Sequence, residues 1–107
     1  MNGGREEWEV LWCHAGFYVT AERLRQHLPP WCRFRIVDPS APLLDQVATA
    51  QVLVPTAARI TPDVLDAAKE LRLICQAGTG HDSIDVAACR ARDIPVCTCP
   101  GLNAQSV

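Results

Sequence analysis

Two glycines separated by one residue mark the segment of this chain whose residue types are best suited to binding a ligand. Gly78 and Gly80 follow an apolar run typical of a strand and precede a stretch with helical spacing. Glycines at such a turn let a ligand approach the backbone closely, and successive N–H groups near a helix N-terminus attract anions. The segment therefore indicates a site for a carboxylate or a phosphate, while a tight turn without a ligand is the simpler alternative.

The spacing of these glycines does not match the dinucleotide-binding fingerprint. Residues 78–83 read Gly-x-Gly-x-x-Ser, whereas the fingerprint requires a third glycine and an acidic residue about 20 positions further on. The end of the next predicted strand holds Cys97, Thr98 and Cys99 instead. A phosphoacceptor receiver domain is also disfavoured, because the predicted strand ends lack its acidic cluster and its lysine.

Histidines and one arginine are further candidates for contact with a ligand. His81 lies in the glycine segment and His14 ends the first predicted strand. His27 stands late in a predicted helix, where it suits the helix dipole. Arg59 is a candidate cation at the rim of the site, and a solvated role is the simpler reading for each of these side chains.

The six cysteines form neither a Cys-x-x-Cys pair nor a zinc-type spacing. Four of them, Cys13, Cys75, Cys97 and Cys99, lie in apolar runs. We therefore expect reduced cysteines that serve as small hydrophobic side chains, and no metal site.

The elements that must position these residues alternate between strand and helix. Such an alternation predicts an α/β fold with a parallel sheet, and right-handed crossovers give the strand order 2-1-3-4-5 with the first helix alone on one face. Thr20, after Val19 and before Leu24, is predicted to cap the first helix, Thr61 the third, and Asp82 or Ser83 the fourth. The predicted strands are residues 8–13, 34–38, 51–55, 72–77 and 94–98.

Length and composition fit one globular domain. The chain has 107 residues, of which 49% are hydrophobic and 21% charged, and its net charge is -2 without blocks of like charge. This charge pattern does not indicate nucleic-acid binding, and no apolar run is long enough for a membrane span. Acidic residues stand where a signal peptide would be apolar or basic, so we expect a cytoplasmic protein.

The second half of the chain resembles the D-isomer-specific 2-hydroxyacid dehydrogenases. The resemblance rests on the segment Leu-Arg-Leu-Ile, the Ala-Gly-Thr-Gly-His-Asp loop, the Ile-Pro-Val strand and the final Pro-Gly-Leu-Asn-Ala-Gln-Ser-Val. Residues 52–68 also resemble the unit that precedes this stretch in the family. The resemblance implies a parent enzyme, expected to be a homodimer, that transfers hydride between a 2-hydroxy or 2-oxo acid and NAD or NADP.

The resemblance also implies the roles of individual residues. Backbone N–H groups of Gly78, Thr79 and Gly80 would hold the substrate carboxylate, with Thr79 beside the nicotinamide. Asn103 would contact the substrate and Val107 would lie near the cofactor. No residue of this sequence matches the family's catalytic arginine, glutamate or histidine.

Two positions depart from the phosphoglycerate-type members of the family. These members have arginines where this chain has Gln76 and Pro55. A phosphorylated substrate is therefore less expected, because the cations that would bind its phosphate are missing.

The resemblance covers only part of the family's fold. We expect residues 1–107 to be the N-terminal part of the substrate-binding (catalytic) domain, a flavodoxin-like five-stranded sheet that lacks the closing helix and the NAD-binding Rossmann domain. On that basis the chain alone should be inactive, bind no cofactor, and expose apolar side chains of strands three to five on the face of the first helix. The alternative is a stand-alone flavodoxin-like binding or interaction module without catalysis.

Overall fold

The computed structural model describes residues 7–14, 18–56, 58–76 and 83–98. Five parallel strands form one sheet in the order β2-β1-β3-β4-β5, which confirms the predicted fold class and strand order. The strands are β1 (Trp8–Trp12), β2 (Cys32–Ile36), β3 (Val52–Val54), β4 (Leu73–Gln76) and β5 (Val96–Thr98). The helices are α1 (Tyr18–His27), α2 (Pro62–Ala67) and α3 (Val86–Ala91), with a 3-10 helix at Leu43–Asp45.

The central strands are apolar on both faces because both faces of the sheet are covered there. Leu11 and Trp12 of β1 are fully buried although their side chains point to opposite faces. Leu53 and Val54 of β3 repeat this arrangement. These continuous apolar runs are what the sequence pattern required of a parallel sheet.

The helices are distributed over the two faces of the sheet as predicted. On one face, Ala21 of α1 packs with Trp12 and Val54. On the other face, Val64 of α2 and Cys89 of α3 pack in a second cluster with the opposite side chains of the central strands.

The face that α1 covers becomes more exposed toward the β5 edge of the sheet. Val52 and Val54 of β3 are only 8% and 1% exposed, so the prediction that β3 exposes apolar side chains on this face is wrong. Leu73 and Cys75 of β4 are half-buried, and Cys97 of β5 is exposed. On the β5 side, the exposed part of this face is therefore confined to β4 and β5, and on the other side Ile36 at the end of β2 is 37% exposed.

The starts of α1 and β2 differ from the prediction. Thr20 lies inside α1 and Val19 is 76% exposed, so the predicted cap and hydrophobic staple at these residues are wrong. Strand β2 begins at Cys32 rather than Phe34, because its pairing with β1 starts at Trp8. The Thr61 cap is confirmed, since its side chain accepts a hydrogen bond from the N–H of Val64 at 3.3 Å.

An ion pair between a buried carboxylate and a partly exposed arginine fixes the amino end of the sheet. The carboxylate of Glu9 accepts hydrogen bonds from the Arg35 guanidinium and from the Thr49 hydroxyl, the latter at 2.6 Å. Arg35 also donates to the carbonyl oxygen of Gln46 at 2.7 Å. Burial by itself raises the pKa of Glu9, but the hydrogen bonds from Thr49 and Arg35 and the Arg35 charge outweigh it and lower that pKa. Glu9 therefore remains ionised and joins β1 to β2 and to the segment before β3.

None of the helices in the described part of the chain has the length and apolar character needed to span a membrane.

Candidate functional site

The carboxyl ends of β1, β3 and β4 lie side by side at one edge of the sheet, where ligands of open α/β sheets bind. The pairing of β1 with β3 extends beyond the strands, because the N–H of Cys13 donates to the carbonyl oxygen of Val54 at 2.9 Å. The N–H of Val37 likewise donates to the carbonyl oxygen of Trp12 at 2.9 Å. The end of β2 therefore lies at the same edge. These hydrogen bonds tie the ends of β1, β2 and β3 together at this edge.

Gln76 is the last residue of β4, and Pro55 directly follows the last residue of the neighbouring strand β3. Leu53 of β3 is the register partner of Ile74, and continuing that register places Pro55 beside Gln76. Pro55 is fully buried and Gln76 is 5% exposed. Both residues therefore lie at the edge from which the glycine segment leaves, and neither carries the positive charge of its phosphoglycerate-type counterpart.

The glycine segment begins directly after Gln76 and ends at a second fixed point. The N–H of Ile60 donates to the carbonyl oxygen of Ser83 at 2.7 Å, and the N–H of Asp85 donates to the carbonyl oxygen of Ile60 at 3.0 Å. These bonds form an isolated parallel bridge between Ile60 and Ile84. The chain on both sides of residues 77–82 is thus held in the core of the domain.

The start of α3 differs from the prediction, and this changes the electrostatics expected of the site. The helix is capped by Asp85 and not at the predicted Asp82 or Ser83: the Asp85 carboxylate accepts a hydrogen bond from the N–H of Ala88 at 3.0 Å. Ser83 instead uses its carbonyl oxygen to anchor Ile60. Because the Asp85 carboxylate already occupies the amino end of α3, the helix dipole is not available to an anion at residues 78–80.

Thr56 adopts an uncommon backbone conformation at the end of β3. Its φ is 54°, in the left-handed region, which is rare for a β-branched residue. Its hydroxyl donates to the carbonyl oxygen of Pro55 at 2.5 Å, and the N–H of Ala58 donates to the same oxygen at 2.9 Å. These bonds hold the chain in a sharp reversal next to the point where the glycine segment leaves β4.

The remaining candidates are placed as follows. His14 is half-buried after β1, Arg59 is exposed one residue before the Ile60 bridge, and His27 is exposed, with Nδ1 2.8 Å from the carbonyl oxygen of Arg23. His81 and the predicted site residues Gly78, Thr79, Gly80, Asn103 and Val107 lie outside the described residues. Their roles remain predictions.

The described carboxyl-end residues do not fit a dinucleotide. A pyrophosphate needs a glycine-rich turn with N–H groups directed at it. Strand β1 is followed by Cys13 and His14, and β3 by Pro55, which has no N–H to donate. A dinucleotide would therefore have to be bound by residues other than these.

The cysteines do not all match the prediction of buried, reduced side chains. Cys13 and Cys89 are buried, and burial raises the pKa of the Cys13 thiol to about 12. Cys32 is half-buried and Cys97 is exposed, and both are free thiols. Cys75 is disulfide-bonded, contrary to the prediction of reduced cysteines.

A surface hollow of about 380 Å³ lies away from the carboxyl edge. Its walls come from Val86 and Arg90 of α3, from residues 93–95 and from the start of β5. It is therefore separate from the end of β4, where the predicted site begins.

The sequence model of the D-isomer specific 2-hydroxyacid dehydrogenase catalytic domain matches residues 19–107. Hydroxypyruvate reductase of Thermotoga maritima is 39% identical over 56 residues, which are 52% of this chain and 18% of that protein. D-3-phosphoglycerate dehydrogenase of Sus scrofa is 38% identical over 55 residues, 51% of this chain and 10% of that protein.

The fold is similar to that of a solved dehydrogenase structure. The NAD+-bound 3-phosphoglycerate dehydrogenase of Entamoeba histolytica superposes with a TM-score of 0.70 at 19% identity, covering 89% of this chain and 33% of that one. The chain therefore spans between a tenth and a third of the length of these proteins. The chain belongs to the D-isomer specific 2-hydroxyacid dehydrogenase family, within its catalytic domain.

Proposed function

We propose that this chain is the N-terminal part of the substrate-binding domain of an oxidoreductase that acts on the CH–OH group of 2-hydroxy acids. The observation that carries the proposal is the family match over residues 19–107, which includes the glycine segment at the end of β4. The relatives' names, a hydroxypyruvate reductase and a phosphoglycerate dehydrogenase, support a small 2-hydroxy or 2-oxo acid as substrate.

In this proposal the backbone N–H groups of Gly78, Thr79 and Gly80 bind the substrate carboxylate. The supporting geometry is the pair of fixed points at Gln76 and Ser83, which limit where the intervening segment can lie. In the same proposal, Asn103 contacts the part of the substrate other than the carboxylate.

The cofactor of the complete enzyme is NAD or NADP, which accepts the hydride. Thr79 and Val107 are the residues of this chain that lie beside it in the proposal. The NAD+ in the Entamoeba histolytica structure supports the choice of a nicotinamide cofactor. The described residues take no part in binding its pyrophosphate, which agrees with the absence of a glycine fingerprint from the 107 residues.

A non-phosphorylated substrate is favoured. Gln76 is buried and neutral, and Pro55 is fully buried and offers no N–H. A phosphate group would therefore lose two charge-assisted contacts at these positions. A 2-hydroxy acid with a neutral or small substituent needs no charge-assisted contact at Gln76 or Pro55.

The first experiment is to read the coding sequence beyond Val107. The proposal predicts a continuation into Ala-Glu and then a strand–turn–helix with Gly-x-Gly-x-x-Gly. A stop codon at that point, together with a protein of this size in cells, would favour the second candidate, a flavodoxin-like binding module without catalysis.

The second experiment compares activities. The purified 107-residue chain should form no NADH from D-lactate, D-glycerate or another 2-hydroxy acid, because no residue in it matches the family's acid–base histidine. The chain extended by its downstream sequence should oxidise at least one of these acids. NADH formation by the 107 residues alone would refute the assignment of catalysis to residues further along the chain.

The proposal extends to the cellular setting and the assembly of the enzyme. We propose a cytoplasmic homodimer that contacts neither membrane nor nucleic acid; the net charge of -2 without charge blocks supports the last of these points. Gel filtration of the extended chain should give a dimer, and a monomer would overturn that part.

A further inference from the structure

The hollow between α3 and the start of β5 has an apolar floor and a volume of about 380 Å³. The floor consists of Val86, Ile94 and Val96, which are half-buried and pack against the core of the domain. The N–H of Ile94 donates to the carbonyl oxygen of Cys89 at 2.9 Å, which ties the floor to α3. The volume lies at the lower end of the range found for small-molecule sites. The hollow therefore has the dimensions to take a small ligand.

Two side chains of opposite charge border this floor. Arg90 and Asp93 both line the hollow and both are exposed. Within the described part of the chain, neither side chain takes part in an ion pair or a hydrogen bond, and the two do not pair with each other. A cation and an anion are thus both available to a molecule that occupies the hollow.

The other charged residues of the same segment are engaged elsewhere. The guanidinium of Arg92 donates to the Asp66 carboxylate at 2.8 Å and to the carbonyl oxygen of Ala88 at 2.9 Å. The Asp85 carboxylate caps α3. Of the four charged residues from Asp85 to Asp93, the two without partners are therefore the two that border the hollow.

A ligand that matches this arrangement carries an anionic group, a cationic group and a short apolar body. We propose that the hollow binds a free α-amino acid with an aliphatic side chain. The Arg90 guanidinium pairs with its carboxylate and the Asp93 carboxylate pairs with its ammonium group. Its side chain lies on the apolar floor, where removal of apolar surface from water favours binding.

The charge pattern favours a free amino acid over a segment of another protein. A residue inside a polypeptide has neither a free ammonium nor a free carboxylate group, so it would leave Arg90 and Asp93 without partners. The hollow is separate from the end of β4, and this proposal therefore does not depend on the function proposed above.

The test is an NMR titration of the 15N-labelled 107-residue chain with L-leucine and four analogues. We expect saturable shifts of the amides that line the hollow, with a dissociation constant of about 1 mM, because the ligand is small and the charges are exposed. N-acetyl-L-leucine lacks the ammonium group and L-leucinamide lacks the carboxylate. Each should bind about two- to fivefold more weakly than leucine, the range expected for exposed ion pairs. Glycine and N-acetyl-L-leucinamide should bind more weakly than leucine as well.

Two variants assign each charge of the ligand to its partner. Arg90→Gln should weaken the binding of leucine and leave that of leucinamide unchanged, whereas Asp93→Asn should weaken leucine and leave N-acetyl-leucine unchanged. Asparagine tolerates the left-handed φ of 57° at position 93, so the backbone is retained. The control Arg33→Gln removes another exposed arginine, on β2, and should not change the affinity for leucine.

The analogues require no substitution, so the outcome does not depend on the folding of a variant. No saturable shift at the hollow up to the solubility limit of leucine would overturn the proposal. Glycine that binds as tightly as leucine would contradict the role of the apolar floor. N-acetyl-L-leucinamide that binds as tightly as leucine would show that the hollow recognises a peptide chain instead.

Discussion

The backbone N–H of Ile60 donates to the carbonyl oxygen of Ser83 over 2.7 Å. This bond connects the turn after β3 to the chain that returns from the glycine segment. It lies beside Ile84, which is 6% exposed and belongs to the core cluster that contains α2 and α3. The far end of the predicted substrate segment is therefore fixed by hydrophobic packing as well as by hydrogen bonds.

Ile84→Ala should lower the free energy of unfolding by about 2–4 kcal/mol, because it leaves a cavity in the packed cluster. Leu44→Ala is the control, since Leu44 is 42% exposed and its truncation should cost far less. Urea denaturation measures both. Equal losses for the two variants would show that Ile84 is not an anchor of this segment.

Glu9 should make the stability of the fold depend on acid pH. Its pKa is lowered in the folded chain relative to the ordinary value of 4.5, so its contribution is complete above that value and is lost as the pH falls through the lower folded pKa. Glu9→Gln should destabilise the chain at pH 7 by roughly 1–3 kcal/mol, less than for a fully buried pair because Arg35 is 37% exposed. The same variant should flatten the pH dependence of unfolding below about pH 4.5.

The control for Glu9 is Glu22, which also pairs with an arginine but on the exposed surface of α1. Glu22→Gln should leave the unfolding midpoint at pH 7 unchanged within error, because exposed pairs are screened by solvent. A larger effect from Glu22→Gln than from Glu9→Gln would contradict the importance assigned to burial.

Thr56→Gly should stabilise the chain by roughly 0.5–1 kcal/mol. A left-handed conformation costs a residue with a Cβ about 1–2 kcal/mol, and the greater freedom of glycine in the unfolded chain offsets part of that gain. Thr56→Val retains the unfavourable backbone and loses the hydroxyl bond to Pro55, so it should be less stable than the unsubstituted chain. Thermal denaturation of the two variants gives the comparison, and a less stable glycine variant would show that the threonine side chain outweighs the strain.

Asp93 allows the same test at the end of α3. Its φ is 57°, and the N–H groups of Asp93 and Ile94 donate to the carbonyl oxygens of Arg90 and Cys89 at 3.1 and 2.9 Å, which closes the helix in a Schellman motif. Asp93→Gly should stabilise by about 0.5 kcal/mol, less than at Thr56, because aspartate tolerates this region better than a β-branched residue. Asp93→Val should destabilise by about 1 kcal/mol or more, as read from denaturant midpoints.

The sheet could be predicted because each strand and helix has a local sequence signal, such as an apolar run or a capping residue. The apolar run at Trp8–Trp12 and the Thr61-Pro62 helix start each specify one element, and the handedness of the crossovers then gives the strand order. The Asp85 cap was missed because Asp82, Ser83 and Asp85 are all suitable caps, and the choice is made by the long-range bridge from Ile60 to Ile84.

Other features depend on contacts that no local pattern encodes. Glu9 lies within an apolar strand, and this position indicates a buried charge that needs a partner. That partner is Arg35, which lies 26 residues further along the chain. The left-handed conformation of Thr56 is imposed by the reversal after β3 and contradicts its residue type. The glycine segment was identified from its residues, and its role as the substrate site rests on the family resemblance.

The most direct test of the account is an amide NMR titration of the 15N-labelled chain with oxalate and with D-lactate. The account predicts saturable shifts of the Gly78, Thr79 and Gly80 amides, because their N–H groups bind the carboxylate. Gly80→Val should weaken this binding at least about tenfold, equivalent to the loss of about 1.4 kcal/mol. The control Ala87→Val, on the exposed side of α3, should leave it unchanged. Saturable shifts confined to other residues, or an unaltered affinity in a folded Gly80→Val chain, would contradict the assignment of residues 78–80 as the carboxylate site.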